Sequence, residues 1–238
     1  MSLTSQVKKF GLTNNQLKII AMITMIIDHV GVALLPHEPI LRIIGRISFP
    51  IFAFMIAEGC RYTKNRAKHL IVLSSMAIVF QLFYLIFLND LYQGILVTFS
   101  LSIGLIYAIE SFIKNGSVKN RLLMSLVVIA ILFVGLVCPE LFEKYGFYID
   151  YGAWGLFLPV IIYFAPGKWF KLAGATVLLI AMSLISSPLQ WWALMSIPLL
   201  ALYNGERGKW RMKYFFYIFY PLHLVIIYLI AILIAIFQ

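Results

Sequence analysis

The run MITMIIDHVGVALLPHEPILRIIGRISFP, Met22 to Pro50, sets Asp28, His29, His37, Glu38, Arg42 and Arg46 into an otherwise apolar stretch. A charge buried in hydrocarbon costs several kcal/mol unless something pairs with it. A histidine beside a carboxylate is the usual arrangement for general-base work. The imidazole takes a proton near neutral pH, and the carboxylate fixes its tautomer or supports its cation. Asp28 and His29 are chain neighbours, however, so on a helix their side chains diverge by about 100°. Asp28 is therefore free to hold an arginine of the next segment, and His223 is available as a second imidazole. Arg42 and Arg46 lie one helical turn apart and point the same way. They suit a phosphate, a carboxylate or a developing oxyanion.

Lys18 and His29 are eleven residues apart. That is about three helical turns, which puts both on one helix face roughly 16 Å apart. A cation at one end of this face and an imidazole further along can line a pore or an extended ligand. Each polar residue also has a structural reading. Lys18 can snorkel to an interface; Asp28 can pair with Arg42 or Arg46 to lock two helices; His223 can be a packing residue. Glu58 is expected to neutralise Arg61 or another basic neighbour, and Thr98, Ser100 and Ser102 to make packing contacts. Trp191 and Trp192 read as an aromatic belt, and His37 and Glu38, between two prolines, as a turn. These readings explain the residues one at a time. They explain poorly why an aspartate, a histidine and two arginines share nineteen residues.

The elements that must position these groups follow from hydropathy. The chain has 238 residues, 63% hydrophobic and 12% charged, with a mean hydropathy of +0.96. An aqueous domain would carry about 25% charged residues, so a soluble fold is excluded. Nine apolar runs approach the length of a spanning helix: Gln16–Leu35, Leu41–Glu58, His69–Leu88, Gly94–Ile113, Leu122–Cys138, Tyr151–Ala165, Trp169–Ile185, Pro188–Tyr203 and Tyr214–Phe237. The sixth and eighth are short, as for a tilted, broken or re-entrant segment. Strand-type alternation is absent, so a β-barrel is not a competitor. The expectation is one all-α polytopic domain over residues 1–238.

The formal charge of +10 is explained by topology rather than by nucleic acid. With the N-terminus cytoplasmic and nine spans, the C-terminus lies outside. Sixteen Lys and Arg residues then fall inside: Lys8, Lys9, Lys18, Arg61, Lys64, Arg66, Lys68, Lys114, Lys119, Arg121, Lys168, Lys171, Arg207, Lys209, Arg211 and Lys213. Only Arg42, Arg46 and Lys144 fall outside, a strong positive-inside bias. Cys60 and Cys138 then lie at opposite faces, too far apart for a disulfide. The first apolar run lacks a small-residue cleavage site and reads as a retained helix. No metal is expected, because His29, His37, Asp28 and Glu38 lack ligand spacing. A transporter competes, since intramembrane Asp, His and Arg also build proton relays. An odd helix count without a repeat is unlike the symmetric transporter plan.

The segments LTNNQLKIIAMITMIIDHVG and LRIIGRISFPIFAFMIAEG resemble the opening of the TraX family, membrane proteins named for acetylating conjugative pilin. The likeness continues through NDLYQGILVTFSLSIGL, IDYGAWG at Ile149–Gly155 and FYPLHL at Phe219–Leu224. The family in turn is similar to the broader transmembrane acyltransferases. Those set a basic residue, ten intervening residues and a histidine in their first helix, followed by an arginine motif. Lys18 and His29 reproduce that spacing with lysine for arginine, and Arg42 and Arg46 stand one residue wider than the group's arginine pair.

The resemblance implies acyl transfer from cytosolic acetyl-CoA, without a metal, to an acceptor in or beyond a bacterial cytoplasmic membrane. The acceptor would be a peptide or pilin amine, a lipid or a glycan. His29 would be the general base and Asp28 would support the local charges. Arg42 and Arg46 would orient the acceptor or stabilise an oxyanion. Lys18, Arg61, Lys64 and Arg66 would bind the CoA phosphates. Tyr220, His223, Asp150 and Glu58 would serve the acceptor side or support the site. A non-catalytic transporter or envelope-assembly factor is the alternative.

Overall fold

A computed structural model describes residues 10–209 and 213–237. Lys8, Lys9 and Arg211 of the predicted cytoplasmic set lie outside the described residues. In chain order the α-helices are α1 (Asn14–Ala33), α2 (Pro39–Gly45), α3 (Ser48–Tyr62), α4 (Arg66–Phe83), α5 (Ile95–Lys114), α6 (Val118–Leu132), α7 (Cys138–Phe142), α8 (Gly152–Phe164), α9 (Gly167–Ile185), α10 (Ser196–Ala201) and α11 (Lys213–Phe237). Among the described residues, two isolated bridges are the only β-type pairing, Leu12 with Tyr203 and Gln93 with Ile149. The expectation of an all-α polytopic membrane protein holds.

Seven of the described helices are long and apolar enough to cross a membrane, against nine runs read from hydropathy. The difference lies in the two short ones. α8 has 13 residues, about 20 Å of rise, against a hydrocarbon core of about 30 Å. The Pro188–Tyr203 run is not one helix: a 3₁₀ segment, Pro188–Met195, leads into the six-residue α10. Pro198, in its interior, removes a donor that a continuous ladder would need, and its ring crowds the preceding turn. The Val118–Tyr145 span is 6% buried, and Leu122, Leu126 and Ile129 are each more than 60% exposed. Side chains of this kind, presented outward along a whole span, need lipid as their solvent.

Contacts divide the chain into two compact units, residues 1–52 with 189–238 and residues 53–188. In the first unit, α1 starts at a capping box. Thr13 Oγ1 accepts from the Gln16 backbone N–H and the Gln16 side chain accepts from the Thr13 N–H, which satisfies two of the donors a helix start leaves open. The loop after α10 ties to the same end of α1 through backbone bonds, Leu12 N–H to Leu202 at 2.8 Å and Asn14 N–H to Glu206 at 2.8 Å. At its far end α1 packs on α2. Gly31 and Gly45 permit the approach: a Cβ on Gly31 would stand 2.8 Å from Leu41 Cβ, and one on Gly45 only 2.1 Å from Asp28 Oδ1. The chain breaks between α2 and α3 at Arg46–Ile47. Pro50 explains the break, since it lacks the N–H that would bond the Arg46 carbonyl and its ring crowds that carbonyl.

The second unit is organised around α5, which packs on α4, α6 and α8. Small polar side chains set the α5–α8 contact. Thr98 Oγ1 donates to the Asp150 carbonyl at 2.9 Å, Ser102 Oγ donates to the Leu156 carbonyl at 2.8 Å, and a Cβ on Gly155 would stand 3.0 Å from Thr98. This is close helix approach through small residues, as the packing reading of Thr98 and Ser102 requires. Ser100 instead turns its hydroxyl back to Leu96 of its own helix.

Gly45→Ala should lower the stability of the detergent-solubilised protein by about 1–3 kcal/mol, because the added methyl overlaps the Asp28 carboxylate. Gly116→Ala, with open space around its Cα, should change it little. Thermal unfolding of the two variants checks this.

Candidate functional site

The break at Arg46 places two guanidinium groups against one carboxylate. Arg42 Nη1 donates to Asp28 Oδ2 at 2.7 Å and Arg46 Nη2 donates to Asp28 Oδ1 at 3.3 Å. Both oxygens of Asp28 are thereby engaged. The side chains of Asp28 and Arg46 are 17% and 14% exposed and that of Arg42 is 30% exposed. Arg46 is further held by the Arg42 carbonyl at 3.4 Å and by Gln190 Oε1 at 3.5 Å. Arg42 is thus the more accessible cation, and the group of Asp28, Arg42 and Arg46 carries one net positive charge. Of the alternatives open in the sequence, Asp28 pairs with both arginines rather than with His29.

His29 takes its partner from α11, which packs on α1. Its Nδ1 lies 2.9 Å from the Met25 carbonyl and 3.3 Å from His223 Nε2. His223 Nδ1 lies 2.9 Å from the Phe219 carbonyl. A carbonyl only accepts, so each Nδ1 carries the proton. His223 Nε2 is then a lone pair receiving the Nδ1–H of His29, shared with Met25. That assignment leaves His29 Nε2 with a lone pair, and no described residue bonds it. The ring of Phe219 stacks on His223 at 4.9 Å and 7°, and Tyr220 meets it edge-on at 5.7 Å. Both keep the buried His223 ring in one orientation. Such a pair can accept a proton at His29 Nε2 while the His223 Nε2 lone pair, accepting from His29 Nδ1–H, supports the resulting cation. The second imidazole fills the role the sequence offered to Asp28.

Lys18 lies on the same unbroken helix as His29, so the shared face expected from their spacing is kept. His37 and Glu38 form an exposed turn before α2, as expected. Gln190, beside Trp191 and Trp192, is not among the residues singled out from the sequence. The signal was present: one amide between a proline and two tryptophans in an apolar run. The tryptophans are exposed, as a lipid-facing belt requires, and Gln190 is buried.

The remaining predicted residues belong to the second unit. Glu58 pairs with Lys171, with Arg61 at 4.0 Å as a weaker neighbour. The basic neighbour left open in the sequence is therefore mainly Lys171, which is itself buried. Arg61 also donates to the Tyr163 carbonyl. Arg66 pairs with Glu110 at 2.8 Å, and Glu110 also receives Lys114 and, at 2.6 Å, the Tyr163 hydroxyl. Lys64 is exposed. Asp150 sits in the turn before α8, its carbonyl accepting from Thr98 and its N–H donating to Gln93 at 2.9 Å. Glu110 was the missed member here, a glutamate inside a twenty-residue apolar helix. Among the described residues no group of three or more His, Cys, Asp and Glu side chains is placed to hold a metal ion.

These features define a polytopic helical membrane protein with a half-buried, net-positive polar centre and a pair of hydrogen-bonded histidines. Residues 13–231 match the family described as TraX protein, and the chain belongs to that family. It is 26% identical to a probable fimbrial assembly protein, FimC of serogroup H1, from Dichelobacter nodosus, over 89% of this chain and 93% of that protein. It is 36% identical to an uncharacterized protein of Rickettsia prowazekii (strain Madrid E), over 44% of this chain and 43% of that one. No solved structure matches.

Asp28→Asn should cost about 2–4 kcal/mol, because it strands Arg46 and Arg42 together with no carboxylate between them. Reversing the α1–α2 pair by Asp28→Arg with Arg42→Asp should recover little, since Arg46 would then face a second cation. Denaturant or thermal unfolding in detergent measures both.

Proposed function

We propose that the chain is an integral-membrane acyltransferase of the bacterial cytoplasmic membrane. It would move an acetyl group from acetyl-CoA to an acceptor at the membrane or beyond it. The observation that carries the reading is the His29–His223 pair, which leaves His29 Nε2 as a lone-pair nitrogen beside a net-positive group. In this reading His29 Nε2 removes the proton from the acceptor nucleophile. His223 and the Met25 carbonyl hold the ring and stabilise its cation. Arg42, the more exposed guanidinium, faces the acceptor or the acyl oxygen. Arg46 is committed to Asp28 and Gln190 and acts chiefly through them. Lys18, three turns away on the helix of His29, receives an anionic part of the donor. The acceptor is a peptide amine, a lipid or a glycan.

A second reading has its own support: the relative from Dichelobacter nodosus carries the name of a probable fimbrial assembly protein. In it the chain would be an envelope-assembly factor whose charges join helices. Turnover separates the two. Purified wild-type protein should cleave acetyl-CoA slowly by hydrolysis or exchange. His29→Ala should lower this by about 10²–10⁴-fold, the contribution of a general base. His223→Ala should lower it less, because the base remains and only its support is lost. Unaltered turnover in His29→Ala would remove His29 from the chemistry. Failure of the wild type to bind or cleave acetyl-CoA would favour the assembly reading.

A further inference from the structure

Gln190 carries a hydrogen-bond donor that the site leaves without a partner. The residue is 5% exposed, in the 3₁₀ segment Pro188–Met195. Trp191 and Trp192, next to it, are 41% and 43% exposed, so of three consecutive large side chains the amide alone is turned inward. Its orientation is set by chemistry: Arg46 Nη1 lies 3.5 Å from it, and a guanidinium has only donors, so the amide oxygen faces Arg46. Nε2 is then the other end, and among the described residues it is the buried side-chain polar atom with no hydrogen-bond partner. Buried polar atoms are paired in the great majority of cases, and an exception calls for an explanation. Ser196, buried on the next turns of the chain, satisfies its hydroxyl on the Ala193 carbonyl at 2.7 Å. Asp28, the carboxylate of this network, already receives Arg42 and Arg46 on its two oxygens. The residues gathered here offer donors and a net positive charge. An oxygen of a bound ligand can take this donor.

We propose that Gln190 Nε2 donates to the carbonyl oxygen of the transferred acyl group and to the oxyanion that this oxygen becomes. The assignment rests on the acyltransferase reading above and adds a residue to it. In the step, the acceptor nucleophile attacks the thioester carbonyl carbon and gives its proton to His29 Nε2. The C=O π electrons move onto oxygen, where the Gln190 N–H, beside the Arg46 guanidinium, meets the new charge. On collapse the C=O bond reforms, the C–S bond breaks, and the CoA sulfur leaves with the proton from His29. A fixed donor aimed where charge develops stabilises the transition state more than the ground state. A neutral amide suits that task, because it contributes no charge of its own to a site already net positive.

The test compares Gln190→Glu and Gln190→Leu with the wild type in the full-length protein in detergent, following acetyl-CoA cleavage and thermal unfolding. Glu keeps an oxygen toward Arg46 and loses the donor; Leu loses both. Both should lower kcat by about 10²-fold with a smaller change in KM, the loss expected for one oxyanion donor. Thermal midpoints near that of the wild type would show that the fold is intact, and Gln190→Glu carries the test if the leucine variant does not fold. Wild-type kcat in Gln190→Glu would overturn the proposal and reduce Gln190 to a support for Arg46. A rise in KM with kcat unchanged would also overturn it, leaving ground-state binding or a bound water. Absence of wild-type turnover would defeat the acyltransferase reading itself and this assignment with it.

Discussion

The first unit depends on one carboxylate shared by two guanidinium groups. Asp28 is affordable inside an apolar helix only because Arg42 and Arg46 both reach it, and they reach it only because α2 is bare where it passes α1. Gly45 presents no side chain at the crossing, and the carboxylate occupies the space a Cβ would take. The interruption of the helix after Gly45 serves the same end. With Pro50 unable to bond the Arg46 carbonyl, the backbone turns at Arg46 and its side chain can address Asp28 and Gln190 together. Packing and electrostatics are therefore one constraint in this region. Such a pair is weak evidence for net stability, since desolvation offsets much of the attraction. Its evident effect is to fix how α1 and α2 meet.

That geometry frees His29 from Asp28. With the aspartate committed to arginines, the imidazole is oriented by its own helix, through the Met25 carbonyl, and by His223 on α11. Two neutral imidazoles in series, each anchored by the carbonyl four residues before it, form a chain of hydrogen bonds with a defined direction. The proton positions follow from the acceptors rather than from any charge. An imidazole held in this way needs no carboxylate beside it, a group that is expensive to take out of water.

The second unit solves a similar problem with different parts. Glu58 and Glu110 are buried near helix ends, each matched to cations from other positions: Lys171 for the first, Arg66 and Lys114 for the second. Tyr163 joins the two groups, since its hydroxyl bonds Glu110 and its carbonyl receives Arg61. Lys171 and Arg66, counted in the sequence as markers of topology, are also structural ion-pair partners. A cation near the end of a span can serve both purposes.

The sequence by itself determined the class of protein and singled out the polar groups its helices must accommodate. Apolar runs of spanning length dictate helices, because hydrocarbon offers no partner for an open backbone. The rarity of charge in those runs marks Asp28, His29, Arg42, Arg46 and His223 as residues needing an explanation. The helical period puts Lys18 and His29 on one face without further information. Only the tertiary structure decided who pairs with whom. Asp28 had two arginines and a histidine within reach on paper, and choosing among them requires the angle at which α1 and α2 cross. Gln190 was legible as a polar residue among tryptophans, but its partner is 144 residues away, and no local period carries that information. The failure of Pro188–Tyr203 to form a helix has the same origin. Composition measures the hydrophobicity of a segment, whereas its path depends on proline-broken backbone bonds and on the side chains it must meet.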